Sequence, residues 1–195
     1  GEARLNVPVG SSDGVLDGDR SRVRQQPTNL GVMVARAMLD KTGADVALVN
    51  SGVVRDSLPA GPISYRDVLK VQPFSNTVAV ITLPGSELLA YLQAAAKMTP
   101  GSGAFPQTAG VQMRIVGGQL SEARIAGQPI DPQRLYRLAL TNFTATGGDG
   151  YPRITGHPGY VDSGFVDADV LRAYIARRSP LKVADYEPGD MVTRR

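Results

Sequence analysis

The sequence contains no cysteine and only one histidine, His157. The absence of cysteine excludes disulfides, thiolate metal sites and cysteine nucleophiles, and leaves the redox compartment open. Zinc centres and two-metal hydrolytic centres draw on several His and carboxylate ligands, whereas His157 stands among turn formers in TGHPGY. We therefore expect His157 to be a surface-loop histidine and the chain to hold no metal centre of its own.

Long apolar runs and a strong excess of one charge are also missing. No stretch approaches the roughly 18 apolar residues of a membrane span, and 21 basic against 18 acidic residues give a net charge of +3. Nucleic-acid binding requires a more concentrated basic surface. We therefore expect neither a membrane nor a nucleic acid as a partner. The start carries no signal-peptide pattern, so we expect a mature protein or an excised piece.

What is present is typical of a globular domain. The chain has 195 residues, 42% of them hydrophobic and 20% charged, enough for one well-buried core. Apolar periodicity predicts long helices over residues 29–42, 86–98 and 167–178. It predicts strands over residues 45–50, 77–83, 111–116, 119–125 and 136–143. The interleaved pattern indicates the α+β class, a single domain with a mixed β-sheet packed by helices.

Local signals refine this organisation. Ser64 and Asp67 form a capping-box pattern that opens a short helix. Gly117 and Gly118 predict the turn of a hairpin. The first twenty residues are expected to be extended with one turn, and residues 51–63 and 99–108 are expected to be loops.

Two of the four phenylalanines stand beside polar residues and chain breaks. Phe74 lies in VQPFSN, and Phe143 precedes the glycine loop of TNFTATGGDG. If the two loops face each other, the rings could sandwich a flat heteroaromatic group, and such stacking contributes about 1–3 kcal/mol per base. The alternative is that both rings cap the ends of a hydrophobic core, where Phe is most often found. The pattern alone leaves both open.

Three arginines and one aspartate could form the polar part of a binding site. Arg20 and Arg24 lie four residues apart in GDRSRVR, and Arg55 follows a Ser-Gly turn. Their guanidinium forks suit carboxylate or phosphate groups, and Asp149 could accept from a ribose hydroxyl or a base N–H. The alternative is that all are solvated surface charges. The GGDG loop matches neither common phosphate-loop fingerprint.

These motifs, taken in order, resemble a known family. NSGVVRDSLPAGPISYRDVLKVQPFSN followed by TNFTATGGDGYP is similar to the C-terminal domain of the 5′-nucleotidase family, in particular to its bacterial periplasmic UDP-sugar hydrolase group. The likeness runs from VPVG to YEPGD, nearly the whole chain. It implies that residues 1–195 form the C-terminal substrate-binding domain, with residues 1–18 a leading segment after the interdomain linker. The N-terminal metallophosphoesterase domain lies outside this sequence.

The resemblance also implies roles for individual residues. It gives the base sandwich to Phe74 and Phe143, and the ribose and phosphate contacts to Arg20, Arg24 and Arg55. It further gives a base contact to Asn76, a backbone contact to Gly103 and the ribose-binding acid to Asp149.

Two departures from the family pattern are visible. Val53 and Val54 stand where Gly-Ile is frequent, and Ser75 stands where Gly is usual. Both substitutions stiffen the loops slightly, and neither removes a matched side chain.

The function implied is binding of the nucleoside part of nucleotides or UDP-sugars, which gives specificity to a dimetal 5′-nucleotidase of nucleotide catabolism. The domain itself would need no cofactor, because two divalent metal ions belong to the N-terminal domain. Alone it would be inactive, and we expect an exported or periplasmic monomer. Two other hypotheses remain: a self-contained hydrolase that uses Asp149 and His157, and an interaction domain without a ligand.

Overall fold

The structure is a computed structural model and describes residues 2–195. Its helices are α1 (Glu2–Leu5), α2 (Arg20–Val23), α3 (Asn29–Thr42), α4 (Tyr65–Val71), α5 (Gly85–Ala96), α6 (Asn142–Ala145) and α7 (Asp167–Arg178). Its strands are β1 (Pro8–Ser12), β2 (Val46–Asn50), β3 (Gly61–Ser64), β4 (Thr77–Pro84), β5 (Pro106–Ala109), β6 (Gln112–Val116), β7 (Gln119–Ile125), β8 (Gln128–Pro129), β9 (Leu135–Thr141), β10 (Tyr160–Val166) and β11 (Val192–Arg194). No helix in this described part of the chain has the length and apolar character of a membrane span.

A five-stranded sheet forms the centre, in the order β10-β4-β9-β2-β5. Strands β9 and β2 run parallel, and the other neighbours are antiparallel. Successive residues of a strand point to opposite faces, and in β2 they enter two different cores. Ala47 and Val49 belong to one core and Val46 and Leu48 to the other. This explains why β2 is apolar at four successive positions and is buried along its whole length.

Helices cover both faces of this sheet. α3 and α7 pack on one face, and α5 packs on the other together with the β6–β7 hairpin. Two smaller sheets complete the fold, an antiparallel β1–β3 pair and the order β11-β6-β7-β8. The predicted class, α+β with a mixed sheet packed by helices, is confirmed. The β6–β7 hairpin also forms as predicted, whereas the β1–β3 pair and the pairing of β8 and β11 with the hairpin were not predicted.

Several predicted elements are confirmed closely. α3 and α7 have the predicted bounds, and α3 begins where the Thr28 hydroxyl accepts the Gly31 N–H at 3.1 Å. The reciprocal capping box of Ser64 and Asp67 is present. The glycine pair at 117 and 118 forms the predicted turn, with φ of 57° and 77°. Two positive φ values in succession define the type I′ hairpin turn that glycine favours.

Other expectations were wrong in instructive ways. The first twenty residues contain α1 and β1, and α2 starts at the twentieth. Strand β1 pairs with β3, inside a segment predicted to be a loop, and β5 occupies the end of the predicted loop 99–108. The predicted strand over 136–143 ends at Thr141, because this residue becomes the N-cap of α6 and accepts from the Thr144 N–H. Phe143 therefore lies on a short helix.

Gln107 of β5 fixes the position of α2. Its side-chain amide donates to the carbonyls of Val23 and Gln26, both at 2.8 Å, and its oxygen accepts from the Thr28 N–H at 3.2 Å. Gln107 is itself buried, and its bonds to Val23 and Thr28 lie away from solvent, whereas the bond to Gln26 is partly buried. The residue thus ties the segment that carries Arg24 to the edge of the central sheet.

Replacing Gln107 with Met, which keeps the volume, should lower the free energy of unfolding by about 1–3 kcal/mol. The reason is that the buried Val23 carbonyl and the buried Thr28 N–H lose their partner, as does the partly buried Gln26 carbonyl. Urea denaturation measures the change, with Gln133→Met, at an exposed loop position, as the control. Equal midpoints for the two variants would show that Gln107 does not hold α2.

Candidate functional site

A cavity of about 500 Å³ opens beside the central sheet, where loops that follow the ends of its strands meet. The parallel strands β2 and β9 both end here, at Asn50 and Thr141. Ligand sites in sheets with parallel strands commonly form outside the carboxyl ends of those strands. The residues that line the cavity are Arg24, Asn50, Gly52, Val53, Arg55, Phe74, Asn76, Gly103, Phe143 and Asp149.

A short hydrogen bond at the floor of this cavity joins Asn50 to Asp149. The Asn50 amide donates to Asp149 Oδ2 at 2.6 Å, and Asn50 is only 1% exposed. The Asn50 oxygen in turn accepts from the Thr144 hydroxyl at 3.4 Å. Asp149 has a left-handed φ of 56°, a conformation that Asp tolerates better than most residues. The bond therefore orients the one carboxylate of the cavity from a buried strand end.

The two phenylalanines lie on the surface of the cavity and not in the core. Phe74 is 53% exposed and Phe143 37% exposed, although both rings are apolar. A Cβ at position 148 would lie 2.6 Å from the Phe143 ring, so only glycine lets the loop pass this ring. The structure thus excludes the alternative in which both rings cap the ends of a hydrophobic core.

The loop that carries Phe74 is fixed from two sides. The carbonyl of Asn76 accepts from the Asp167 N–H at 2.8 Å, and the Thr77 N–H donates to the Asn142 side chain at 3.0 Å. Between Phe74 and Asn76, Ser75 adopts a φ of 57°. Because this conformation favours glycine, Ser75 holds a strained turn between two residues of the cavity.

Positive charge dominates one side of the cavity. Arg55 lies with its guanidinium carbon 5.7 Å from the centroid of the Phe74 ring. Burial lowers the pKa of Arg24 below its ordinary value, and the charges of Arg20 and Arg55 lower it further, while Asp149 opposes the shift. A bound anion would relieve this repulsion between arginines.

Asp149 and Arg24 face each other across Gly103. A Cβ built on Gly103 would lie 3.6 Å from Asp149 Oδ2 and 3.7 Å from the Arg24 guanidinium carbon. The loop of Gly103 is anchored by the Gly52 N–H, which donates to the Gly103 carbonyl at 2.8 Å. The Asp149 carboxylate, the Arg24 guanidinium and the Gly103 backbone therefore lie close together in the cavity.

The structure brings together seven of the eight residues predicted from the sequence. Arg20 is the exception: it lies outside the cavity lining but close enough to Arg24 to shift its pKa. His157 lines a different cavity, where its Nε2 lies 2.8 Å from Glu87. Within residues 2–195, no three His, Cys, Asp or Glu side chains are grouped to hold a metal ion.

The profile of the family described as 5′-nucleotidase, C-terminal domain, matches residues 8–156. The chain belongs to this family.

Relatives support the assignment along the whole chain. Protein UshA of Escherichia coli (strain K12) is 51% identical over 193 residues, which cover 99% of this chain and 35% of that protein. The 5′-nucleotidase of Vibrio cholerae is 46% identical over 195 residues, 100% of this chain and 35% of that protein. This 5′-nucleotidase C-terminal domain thus spans about a third of the length of the curated relatives it matches.

Solved structures share the fold. A 5′-nucleotidase precursor from Thermus thermophilus matches with a TM-score of 0.87 and 30% identity, over 99% of this chain and 40% of that one. The NAD nucleotidase of Haemophilus influenzae matches with a TM-score of 0.86 over 100% of this chain and 39% of that one, at 20% identity. At that identity the likeness concerns the fold alone.

Asn50 was not predicted as a site residue, although its place in the sequence indicates such a role. Asn50 is the one polar residue of the apolar run VALVN, and it ends the strand. A polar residue at the carboxyl end of a buried strand is a candidate site residue. Gly52 and Val53 also line the cavity, and neither was predicted as a site residue.

Replacing Asn50 with Ala should lower the free energy of unfolding by about 1.5–3 kcal/mol, because a hydrogen bond to a charged group is lost. Amide exchange should also quicken at residues 148–151, since Asp149 loses its donor. Hydrogen exchange and urea denaturation measure the two effects, with the exposed Asn6→Ala as the control. Unchanged exchange in the glycine loop would contradict the anchoring role of Asn50.

Asp167, behind the Phe74 loop, makes stability depend on pH. Burial raises the pKa of Asp167 from its usual 3.8 to about 6. The folded chain therefore binds more protons than the unfolded chain between these values. The contribution of Asp167 to the free energy of unfolding falls as pH rises from about 4 through about 6.

Asp167→Asn should remove this loss, since the amide stays neutral and its oxygen can still accept the Ala168 N–H, a bond of 2.7 Å. Relative to the native chain, the variant should gain about 1–3 kcal/mol in unfolding free energy between pH 4 and pH 7. Denaturation at a series of pH values measures the gain. Asp169→Asn controls for the loss of a carboxylate in the same helical turn, and an equal gain there would contradict the explanation.

Proposed function

We propose that this domain binds the nucleoside part of a nucleotide or UDP-sugar and gives substrate specificity to a dimetal 5′-nucleotidase or UDP-sugar hydrolase. The observation that carries the proposal is the meeting of two exposed aromatic rings, Phe74 and Phe143, at one cavity of about 500 Å³. Exposed aromatic rings at a cavity offer stacking platforms, and every base has a flat face to stack on them.

In this proposal the base lies between the two rings. Phe143 is held by the glycine loop, and Phe74 lies on a loop tied by backbone bonds to α7 and by Thr77 to Asn142. Preorganised rings lose little conformational entropy on binding. Asn76, which lines the same cavity, would present its amide to the edge of the base.

Polar groups would bind the rest of the nucleotide. A carboxylate has about four acceptor positions, so the bond from Asn50 leaves Asp149 able to accept from ribose hydroxyls. Arg24 and Arg55 would donate to phosphate oxygens as planar forks, with Arg20 behind them adding positive potential. The pKa of Arg24 is lowered by burial and further by the charges of Arg20 and Arg55, and an anionic ligand would offset the repulsion from those charges.

The bond-breaking chemistry would take place elsewhere in a longer parent protein. The chain spans only about 35% of its curated relatives, which leaves room there for an N-terminal metallophosphoesterase domain. When bound in that domain, two divalent metal ions would supply an activated water for attack on phosphorus. The residues of this chain would grip and present the nucleotide, and the chain alone would release no phosphate. We place the parent protein in nucleotide catabolism in the periplasm, acting as a monomer.

The self-contained hydrolase and the interaction domain would use these residues differently. A self-contained hydrolase would need Asp149 and His157 at one site, yet they line separate cavities, and His157 contacts Glu87. An interaction domain would use the exposed rings of Phe74 and Phe143 against another domain and would bind no nucleoside.

Truncation of either ring should weaken nucleotide binding. Phe74→Ala and Phe143→Ala are each expected to reduce the affinity for AMP, UMP and UDP-glucose by about 1–3 kcal/mol, the contribution of one stacked base. Isothermal titration calorimetry measures the change. Phe165→Ala is the matched control, since the exposure of the Phe165 ring lies between those of Phe74 and Phe143, and it lies on β10 outside this cavity.

The result that would overturn the sandwich is unchanged affinity in both variants. Absence of any nucleotide binding would favour the interaction domain. Phosphate release by the 195-residue chain with added divalent metal would favour the self-contained hydrolase.

A further inference from the structure

A second cavity, of about 550 Å³, lies between α3, the end of α7 and the turn that follows it. It shares no lining residue with the candidate nucleotide site. All but one of its lining residues lie in the last part of the chain, beyond residue 156, where the family profile ends. Its charged and aromatic lining side chains are Arg36, Tyr174, Arg178, Lys182, Asp185 and Tyr186.

Two buried tyrosines form the back wall of this second cavity. The hydroxyls of Tyr174 and Tyr186 lie 2.8 Å apart, and both residues are almost fully buried. Burial raises the pKa of Tyr186 above its ordinary value, and the hydrogen bond with Tyr174 raises it further, so its hydroxyl keeps its hydrogen. Two hydroxyls share a single hydrogen in one bond. The second hydrogen has no acceptor among residues 2–195.

Two guanidinium groups are held against these rings. The Arg36 guanidinium lies 5.0 Å from the centroid of Tyr186, and that of Arg178 lies 5.5 Å from the centroid of Tyr174. Stacking on an aromatic ring leaves the edge of a guanidinium, with its N–H donors, free to bind a ligand. One Arg36 donor is used by the Asp185 carbonyl at 2.8 Å, which fixes the orientation of the fork.

The charges at the second cavity are unbalanced. Arg178 bonds Asp40 at 3.2 Å, but Asp40 also bonds Arg177, so one carboxylate serves two arginines. Within the described residues, neither Arg36 nor Lys182 has a carboxylate at ion-pair distance. Asp185 is the one acid in the lining, against three cations.

We propose that this second cavity binds a tetrahedral oxyanion of the phosphate or sulfate type, with Arg36 and Lys182 as its principal ligands and Arg178 as a third. Stacked arginine forks match oxyanions in shape and charge. The cavity is concave and large enough for a small organic group beside the anion. The ligand is therefore inorganic phosphate or sulfate, or a small phosphate monoester.

Nuclear magnetic resonance titration of the chain tests this site directly. Inorganic phosphate, sulfate and glycerol 3-phosphate are the probes, each compared with chloride at equal ionic strength. We expect saturable shifts of backbone amides over residues 181–186. A response to inorganic phosphate alone identifies the free anion as the ligand, and tighter binding of glycerol 3-phosphate identifies the monoester; both support the site.

Variants separate this site from the nucleotide cavity. Arg36→Gln should weaken the binding seen at residues 181–186 about tenfold or more, as expected for lost charge-assisted hydrogen bonds. Arg36→Lys should restore only part of it, since it keeps the charge and loses the fork. Lys182→Gln, at an exposed position, removes a ligand without disturbing the hydrogen-bonded pair of Tyr174 and Tyr186. Arg24→Gln, the same kind of change in the other cavity, should leave this binding unaltered.

Three results would overturn the proposal. The first is a set of shifts that do not saturate or that chloride reproduces. The second is saturable binding confined to the amides of Gly52 and Gly103. The third is full affinity in both Arg36→Gln and Lys182→Gln.

Discussion

The hydrogen bond from Asn50 to Asp149 connects the buried sheet to the loops of the candidate site. Asn50 is fixed because β2 is buried on both faces, and its amide reaches Asp149 at 2.6 Å. Without this bond the Asp149 carboxylate, on a residue with a left-handed φ, would lose the hydrogen bond that ties it to the buried sheet. With it, the loop is held in place beneath the Phe143 ring, and the carboxylate keeps a defined direction in the cavity.

The rest of the site is assembled around this fixed point. Gly103 brings its backbone against Gly52, while Gln107 holds the segment of Arg24 to the sheet edge. These contacts bury part of Arg24 and place it near Arg20 and Arg55, and its pKa is lowered, first by burial and then by the two like charges. Such a preformed cationic cavity suits an anionic ligand, because binding removes a repulsion already present in the folded chain.

Much of the fold followed from local patterns in the sequence. The bounds of α3 and α7 and the turn at Gly117 were predictable, since periodicity and turn chemistry act over a few residues. The pairing of β1 with β3 was not, because about fifty residues separate the partners and neither strand is strongly apolar. The end of β9 was also misplaced, since the capping role of Thr141 competes with the apolar run that continues to Phe143.

The residues of the candidate site could also be predicted only where the signal is local in sequence. Aromatic residues beside polar residues and chain breaks pointed to Phe74 and Phe143, yet only the fold brings them to one cavity. Arg20 and Arg24 share a spacing of four residues, but α2 spans only Arg20–Val23, and Arg24 alone lines the cavity. Asn50 escaped prediction because its role depends on a partner ninety-nine residues away.

The proton spectrum of bound AMP tests the central claim most directly. If Phe74 and Phe143 enclose the base, ring currents from both faces should move the adenine H2 and H8 resonances upfield on saturable binding. The upfield movement should shrink by a similar amount in Phe74→Ala and in Phe143→Ala. Saturable binding of AMP without an upfield shift of either proton would contradict the account.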